Sequence, residues 1–304
     1  MGIRYLTNLT RFFEFISITF STPLCDHTII FFDWDDTLMA SNVLCAHQVT
    51  LQTPVVPREI DIMFQTLQDQ VINILDTAFK ATKHVFVITN AEQGWVELSC
   101  QKFMPKVFQH IQDVKIISAR TTYQNSFPDK PNMWKKTAFI ERINTCFPSH
   151  APKMTSAGTV SSPIGPPNLN AISFGDSECE RNALISITQL CASTATLKSI
   201  KFVERPSTEQ LKRQLEMIQH NFHFIVRHNA SLDLMLQICT VQATPNDQRT
   251  TERPTPASQN SDQSEGNGLE RNTTEVGADV PYNSPDGRLN GPPGGAGYDP
   301  NKGK

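Results

Sequence analysis

The chain has 304 residues, 38% hydrophobic and 19% charged, a balance ordinary for a soluble globular protein of one or two domains. A net charge of -3 leaves no basic field to hold a nucleic acid backbone, and no polybasic run marks a membrane surface. Seven widely spaced cysteines, without a Cys-x-x-Cys pair, suggest neither a zinc knuckle nor a disulfide framework and fit a reducing, cytoplasmic compartment.

Residues 1–24 form an N-terminal segment in which Arg4, Arg11 and several hydroxyl residues surround the apolar stretch Phe12 to Phe20. It reads as a helix or a targeting peptide, and it falls short of the roughly 20 apolar residues a membrane span requires. From 25 to 240 the pattern alternates between short β-branched or aromatic runs and longer segments of helical periodicity. The runs are Thr28–Phe32, Val85–Ile88, Val114–Ser118, Ala171–Phe174 and Ile200–Val203. Between the first two, Met63, Leu67, Val71, Ile74 and Ala78 make one apolar face of a helix over 61–80. Further helices are predicted over 92–103, 132–145, 178–187 and 208–219, with a flexible loop over 148–168. Strands joined by crossover helices imply an α/β fold with a doubly wound, mostly parallel sheet. The last 64 positions, 241–304, hold no Ile, Phe, Met, Trp or Cys and nine of the 14 glycines, so they are predicted to be a disordered tail.

In such a sheet the binding crevice lies outside the carboxyl ends of the strands, so a site should be spelled by the residues that follow each run. After the first run come Asp33, Asp35 and Asp36, with Thr37 behind them. Like charges so close raise one another's pKa unless a cation is shared, and oxygen-only ligands favour a hard ion such as Mg²⁺. Taken alone, the same cluster fits a helix N-terminus that favours acids. The second run ends in Thr89 and Asn90, where a hydroxyl and an amide could hold a phosphate oxygen or cap a helix. The fourth ends in Gly175 and Asp176, with Glu178 and Glu180 in the next turn. Lys135 and Lys136, beside Trp134, each offer an ammonium group.

These pieces, in this order on these strand ends, resemble the haloacid dehalogenase (HAD) superfamily over roughly Thr28 to Val203. The family's Asp-x-Asp-x-Thr motif is matched by Asp33, Asp35 and Thr37, its Ser/Thr strand end by Thr89, its lysine by Lys135 or Lys136, and its distal acids by Asp176 with Glu180. The resemblance implies a Rossmannoid fold and a Mg²⁺-dependent phosphohydrolase acting through an aspartyl phosphate on Asp33. In that scheme Asp35 is the general acid and base, and its backbone carbonyl joins Asp33 and Asp176 around the metal. Glu180 acts from behind, while Thr89, Asn90 and Lys135 neutralise the transferring phosphoryl group. An acid two places after the nucleophile, as in Asp35, belongs to the phosphotransfer members of the superfamily.

Residues 39–60 are too few for a cap domain and imply a minimal flap, which leaves both a small metabolite and a phosphorylated protein as substrate. Arg120, in the loop over 119–131 after the third run, is expected at the catalytic rim as a substrate-binding group. Trp95 fits core packing better than a pocket wall, and the histidines at 220, 223 and 228 fit a polar face better than a metal site. The competing reading is a catalytically inactive HAD-like binding or scaffold protein.

Overall fold

The structure, a computed structural model, describes residues 27–148 and 164–238. The N-terminal segment, the tail and most of the loop expected over 148–168 lie outside the described residues. Six parallel strands form one sheet in the order β3-β2-β1-β4-β5-β6. They are β1 Thr28–Phe32, β2 Val85–Thr89, β3 Lys115–Ser118, β4 Asn170–Gly175, β5 Thr196–Lys201 and β6 Leu232–Met235. Eight α-helices accompany them among the described residues: α1 Ser41–Ala46, α2 Arg58–Ala81, α3 Trp95–Phe103, α4 Pro105–Ile111, α5 Ala119–Tyr123, α6 Pro131–Cys146, α7 Glu178–Ile185 and α8 Thr208–Arg227. None is long and apolar enough to cross a membrane.

The arrangement follows from strands that bury both faces. Along β1, Ile30 and Phe32 enter one core with α2, α3 and α8, whereas Ile29 and Phe31 enter a second with α6 and α7. Alternation along a pleated strand thus feeds two apolar layers, which is why the run reads as continuously hydrophobic. The sheet order reverses at β1, with β2 on one side and β4 on the other, and the crevice of a Rossmann-like sheet opens at that point.

Several expectations need correction. On α2 the side chains buried in the first turns are Ile60 and Phe64, while Met63 is 37% exposed. The fifth strand begins at Thr196, four residues earlier than its apolar pattern suggests, because Lys198 and Lys201 interrupt the run although both are buried. Lys198 hides its charge by donating to the Val226 carbonyl at 2.9 Å, and Lys201 pairs with Glu204 at 2.8 Å. Helix α8 continues to Arg227, since Leu211, Leu215, Ile218, Phe222 and Ile225 keep one buried face through the histidines. Short elements α1, α4, α5 and β6 carry too little periodicity to be seen in sequence.

Within 39–60, α1 is the only regular element before α2. The segment is tied down rather than free: Lys102 donates to the Leu51 carbonyl at 2.7 Å and to the Thr53 carbonyl at 2.5 Å.

Candidate active site

The chain after β1 continues its ladder for one residue, the Asp33 amide donating to the Phe174 carbonyl at 2.9 Å, and so places Asp33 at the β1/β4 mouth. Asp176 follows β4 directly, and one turn of α7 brings Glu180 back toward the sheet. One carboxylate oxygen from each of Asp33, Asp176 and Glu180 lies within 4.8 Å of the others. This cluster could hold a metal ion, and among the described residues no other His, Cys, Asp or Glu group gathers three such ligand atoms.

Lys135, on α6, reaches the same point from the face of the sheet that α6 and α7 share. Its ammonium, 1% exposed, donates to Asp33 Oδ1 at 2.5 Å and to Glu180 Oε1. Lys136 is only half-buried, and Glu178 is exposed and paired with Arg181, so the fold selects Lys135 and Glu180 from the two ambiguous pairs.

Glu180 is committed twice. Its Oε2 accepts from the Ser177 amide at 3.0 Å and the Ser177 hydroxyl at 2.6 Å, closing a capping box at the start of α7. With both oxygens engaged, Glu180 serves better to hold Lys135 and the acid cluster in place than as a direct metal ligand. Gly175 makes room for it: a Cβ there would lie 2.4 Å from Glu180 Cγ. Gly175→Ala is therefore expected to cost about 1–3 kcal/mol by overpacking and to displace Glu180. Chemical denaturation paired with the activity assay described below checks both effects; unchanged stability would mean Glu180 moves aside freely.

Buried Asp33 and Glu180 and half-buried Asp176 gather around one ammonium, and their proton affinities respond accordingly. Burial raises the Asp33 pKa well above its ordinary value; Lys135 opposes the rise, and Glu180, Asp176 and Asp35 add to it. Asp176 is pushed up to about 7 by burial and then by Glu180 and Asp36. Glu180 goes the other way, because Lys135 and the Ser177 hydrogen bonds outweigh its burial. Burial would lower the Lys135 pKa, but Asp33 and Glu180 raise it, so it is charged. The site thus carries a surplus of negative charge that a divalent cation would close.

Asp35 turns elsewhere. Its Oδ1 accepts from Trp95 Nε1 at 2.9 Å, and its Oδ2 lies 3.5 Å from the Thr89 hydroxyl, which in turn accepts from the Ala91 amide at 2.9 Å. Burial raises the Asp35 pKa, opposed by hydrogen bonds from Trp95 and Ser41. Asp36 is structural. It sits at φ 53°, and its Oδ1 accepts from the Asn42 amide at 2.9 Å and the Asn42 side chain at 3.0 Å, starting α1. Asp36 thus serves the start of a helix, while Asp33 belongs to the group of acids that could hold a metal ion.

Asn90 is at the site's edge, its amide donating to Cys179 Sγ at 3.2 Å while its Oδ1 is buried without a partner. Arg120 is not brought to the cluster: it is exposed and faces Glu92 across 3.9 Å. A cavity of about 280 Å³ adjoins Thr89 on the β3 side, but its walls, including Glu97, Tyr123 and Arg142, exclude the acid cluster. Asp33 itself is buried, whereas Asp35, Asn90 and Asp176 are half-buried.

Trp95, read from sequence as core packing, is the site residue that sequence reasoning missed. Its ring does pack against the core, and the Asp35 contact depends on the β2–α3 turn, which has no local signature. The Ser177-x-x-Glu180 capping pattern, by contrast, was visible and would have favoured Glu180 over Glu178. Compared with family models, curated proteins and solved structures, the chain matches none.

Proposed function

We propose that this protein is a Mg²⁺-dependent phosphohydrolase of the HAD type that works through a phospho-aspartate on Asp33. The observation that carries the reading is the convergence of Asp33, Lys135, Asp176 and Glu180 at the β1/β4 mouth, with Asp35 held beside them. Acids on two adjacent strand ends and a lysine from α6, the neighbour of α7, share one buried point. A scaffold without chemistry would be as stable, or more so, with apolar residues at 33, 135 and 180, since buried ion clusters seldom repay their desolvation.

The donor set fits a hard cation: carboxylate oxygens of Asp33 and Asp176, and by family analogy the Asp35 carbonyl, would hold Mg²⁺. When bound, Mg²⁺ supplies positive charge that offsets the carboxylate surplus and the charge of the phosphoryl group. The residues supply the rest. An Asp33 carboxylate oxygen attacks phosphorus, the bond to the leaving oxygen breaks, and Asp35 gives that oxygen its proton. Water then attacks the acyl phosphate, Asp35 takes the proton of that water, and the Asp33–phosphorus bond breaks to release phosphate. Lys135 holds Asp33 in place and offsets charge on the transferring group, and the Thr89 hydroxyl and Asn90 amide stand at the rim to bind its oxygens.

The test is hydrolysis of a panel of aryl and alkyl phosphates, with Mg²⁺ and after its removal by EDTA. Turnover that requires Mg²⁺ is expected; a purified, folded protein inert toward the whole panel would contradict the proposal.

Metal binding should also depend on pH. Asp176 holds its proton up to about pH 7 in the folded chain, well above its ordinary value of 3.8. The neutral form favours the fold, so this contribution is present at low pH and fades as pH rises toward and through 7. A cation needs the ionised form, so Mg²⁺ should raise the unfolding temperature more at pH 8 than at pH 6. Thermal scans at both pH values check this; a larger shift at pH 6 would be the contrary result.

A further inference from the structure

We propose that Trp95 is the positioning residue for Asp35, fixing which of its two oxygens carries the transferable proton; this rests on the hydrolase reading above. The indole Nε1–H donates to Asp35 Oδ1 at 2.9 Å. An indole N–H only donates, so a protonated Asp35 cannot place its hydrogen on Oδ1 toward Trp95. That leaves Oδ2, 3.5 Å from the Thr89 hydroxyl at the β2 strand end, where the phosphoryl group would be held; this hydroxyl donates to an ionised Asp35 and, unlike an indole, can rotate to leave room for a proton on Oδ2. A general acid works only if its proton faces the leaving oxygen, and one hydrogen bond on the opposite oxygen sets that choice.

The helix that carries Trp95 is built to hold this contact. Gly94 adopts φ +88° just before α3, a left-handed turn that makes Trp95 the first residue of the helix. One turn on, Ser99 Oγ accepts from Trp34 Nε1 at 3.1 Å in the buried interior. Helix α3 therefore grips Trp34 and Asp35 from two successive turns, and the Trp95 ring is packed against the core. The Asp35 carboxyl is oriented by the fold before any substrate arrives.

Trp95→Phe keeps the ring and removes the donor. Pre-steady-state release of the leaving group, which precedes the water step that all substrates share, is compared on an aryl phosphate with an acidic phenol and an alkyl phosphate with a basic alcohol, because only the second leaving group needs a proton. The expected result is a loss of about 100-fold in the rate of leaving-group release from the alkyl phosphate, little change for the aryl phosphate, and unaltered substrate affinity for both. In an Asp35→Ala background the substitution should add no further loss on the alkyl phosphate. Equal losses on both substrates would mark a merely structural role and overturn the proposal. If Trp95→Phe does not fold, the Trp95 indole N–H proton resonance is followed instead: it should move on Asp35→Ala, and an unmoved resonance overturns the contact. A wild type inert toward both phosphates sinks the hydrolase reading and this one with it, whereas an active wild type with an indifferent Trp95→Phe sinks this one alone.

Discussion

Asp33→Asn is expected to reduce phosphate release by about 10⁴-fold or more while leaving the fold intact, because it removes the nucleophile and little else. The amide has nearly the shape of the carboxylate, and Lys135 keeps Glu180 as a charged partner. Burial holds the Asp33 pKa well above its ordinary value, so making it neutral relieves part of the carboxylate repulsion. The unfolding temperature should consequently stay near that of the wild type. Steady-state assays with a thermal scan on the same preparation check both statements. Activity near the wild-type level would remove Asp33 from the chemistry, and an unfolded variant would show that its charge is structural.

Lys135→Met is expected to have the largest effect on stability. It replaces an ammonium that is 1% exposed and bonded to two carboxylates with an apolar chain of similar length. Asp33 and Glu180 are then buried without their cation, and breaking a buried ion pair from one side costs about 3–5 kcal/mol. The sign of the pH dependence follows. Without Lys135, both acids have folded pKa values above their unfolded ones, so the neutral forms stabilise the fold at low pH and that contribution is lost as pH rises. Denaturant titrations should find the deficit greatest at neutral and alkaline pH and smaller near pH 5. A deficit that grows on acidification would mean that Lys135 does not balance these carboxylates.

How much of this was legible in the chain depends on whether a residue's role is set locally or by the partner it meets. The strand ends bearing Asp33, Thr89 and Asp176 could be read directly, because strands buried on both faces are continuous apolar runs whose ends stand out. The choice between Lys135 and Lys136 could not, since it depends on which face of α6 meets the sheet. Asp36, one of three clustered carboxylates after the first run, anchors α1, because its left-handed φ turns it toward Asn42. Arg120 was placed correctly after the third strand, but α5 leaves it in solvent beside Glu92. The lysines of β5 hid the first part of that strand for the same reason: their amines find carbonyl or carboxylate partners that no local pattern predicts.

The central claim is that phosphate passes through Asp33, and trapping it there is the most direct test. Borohydride added during turnover reduces an aspartyl phosphate to homoserine, which peptide mass spectrometry locates. The account predicts homoserine at position 33, dependent on both Mg²⁺ and substrate. Homoserine at another acid, or active turnover that never marks position 33, would contradict it.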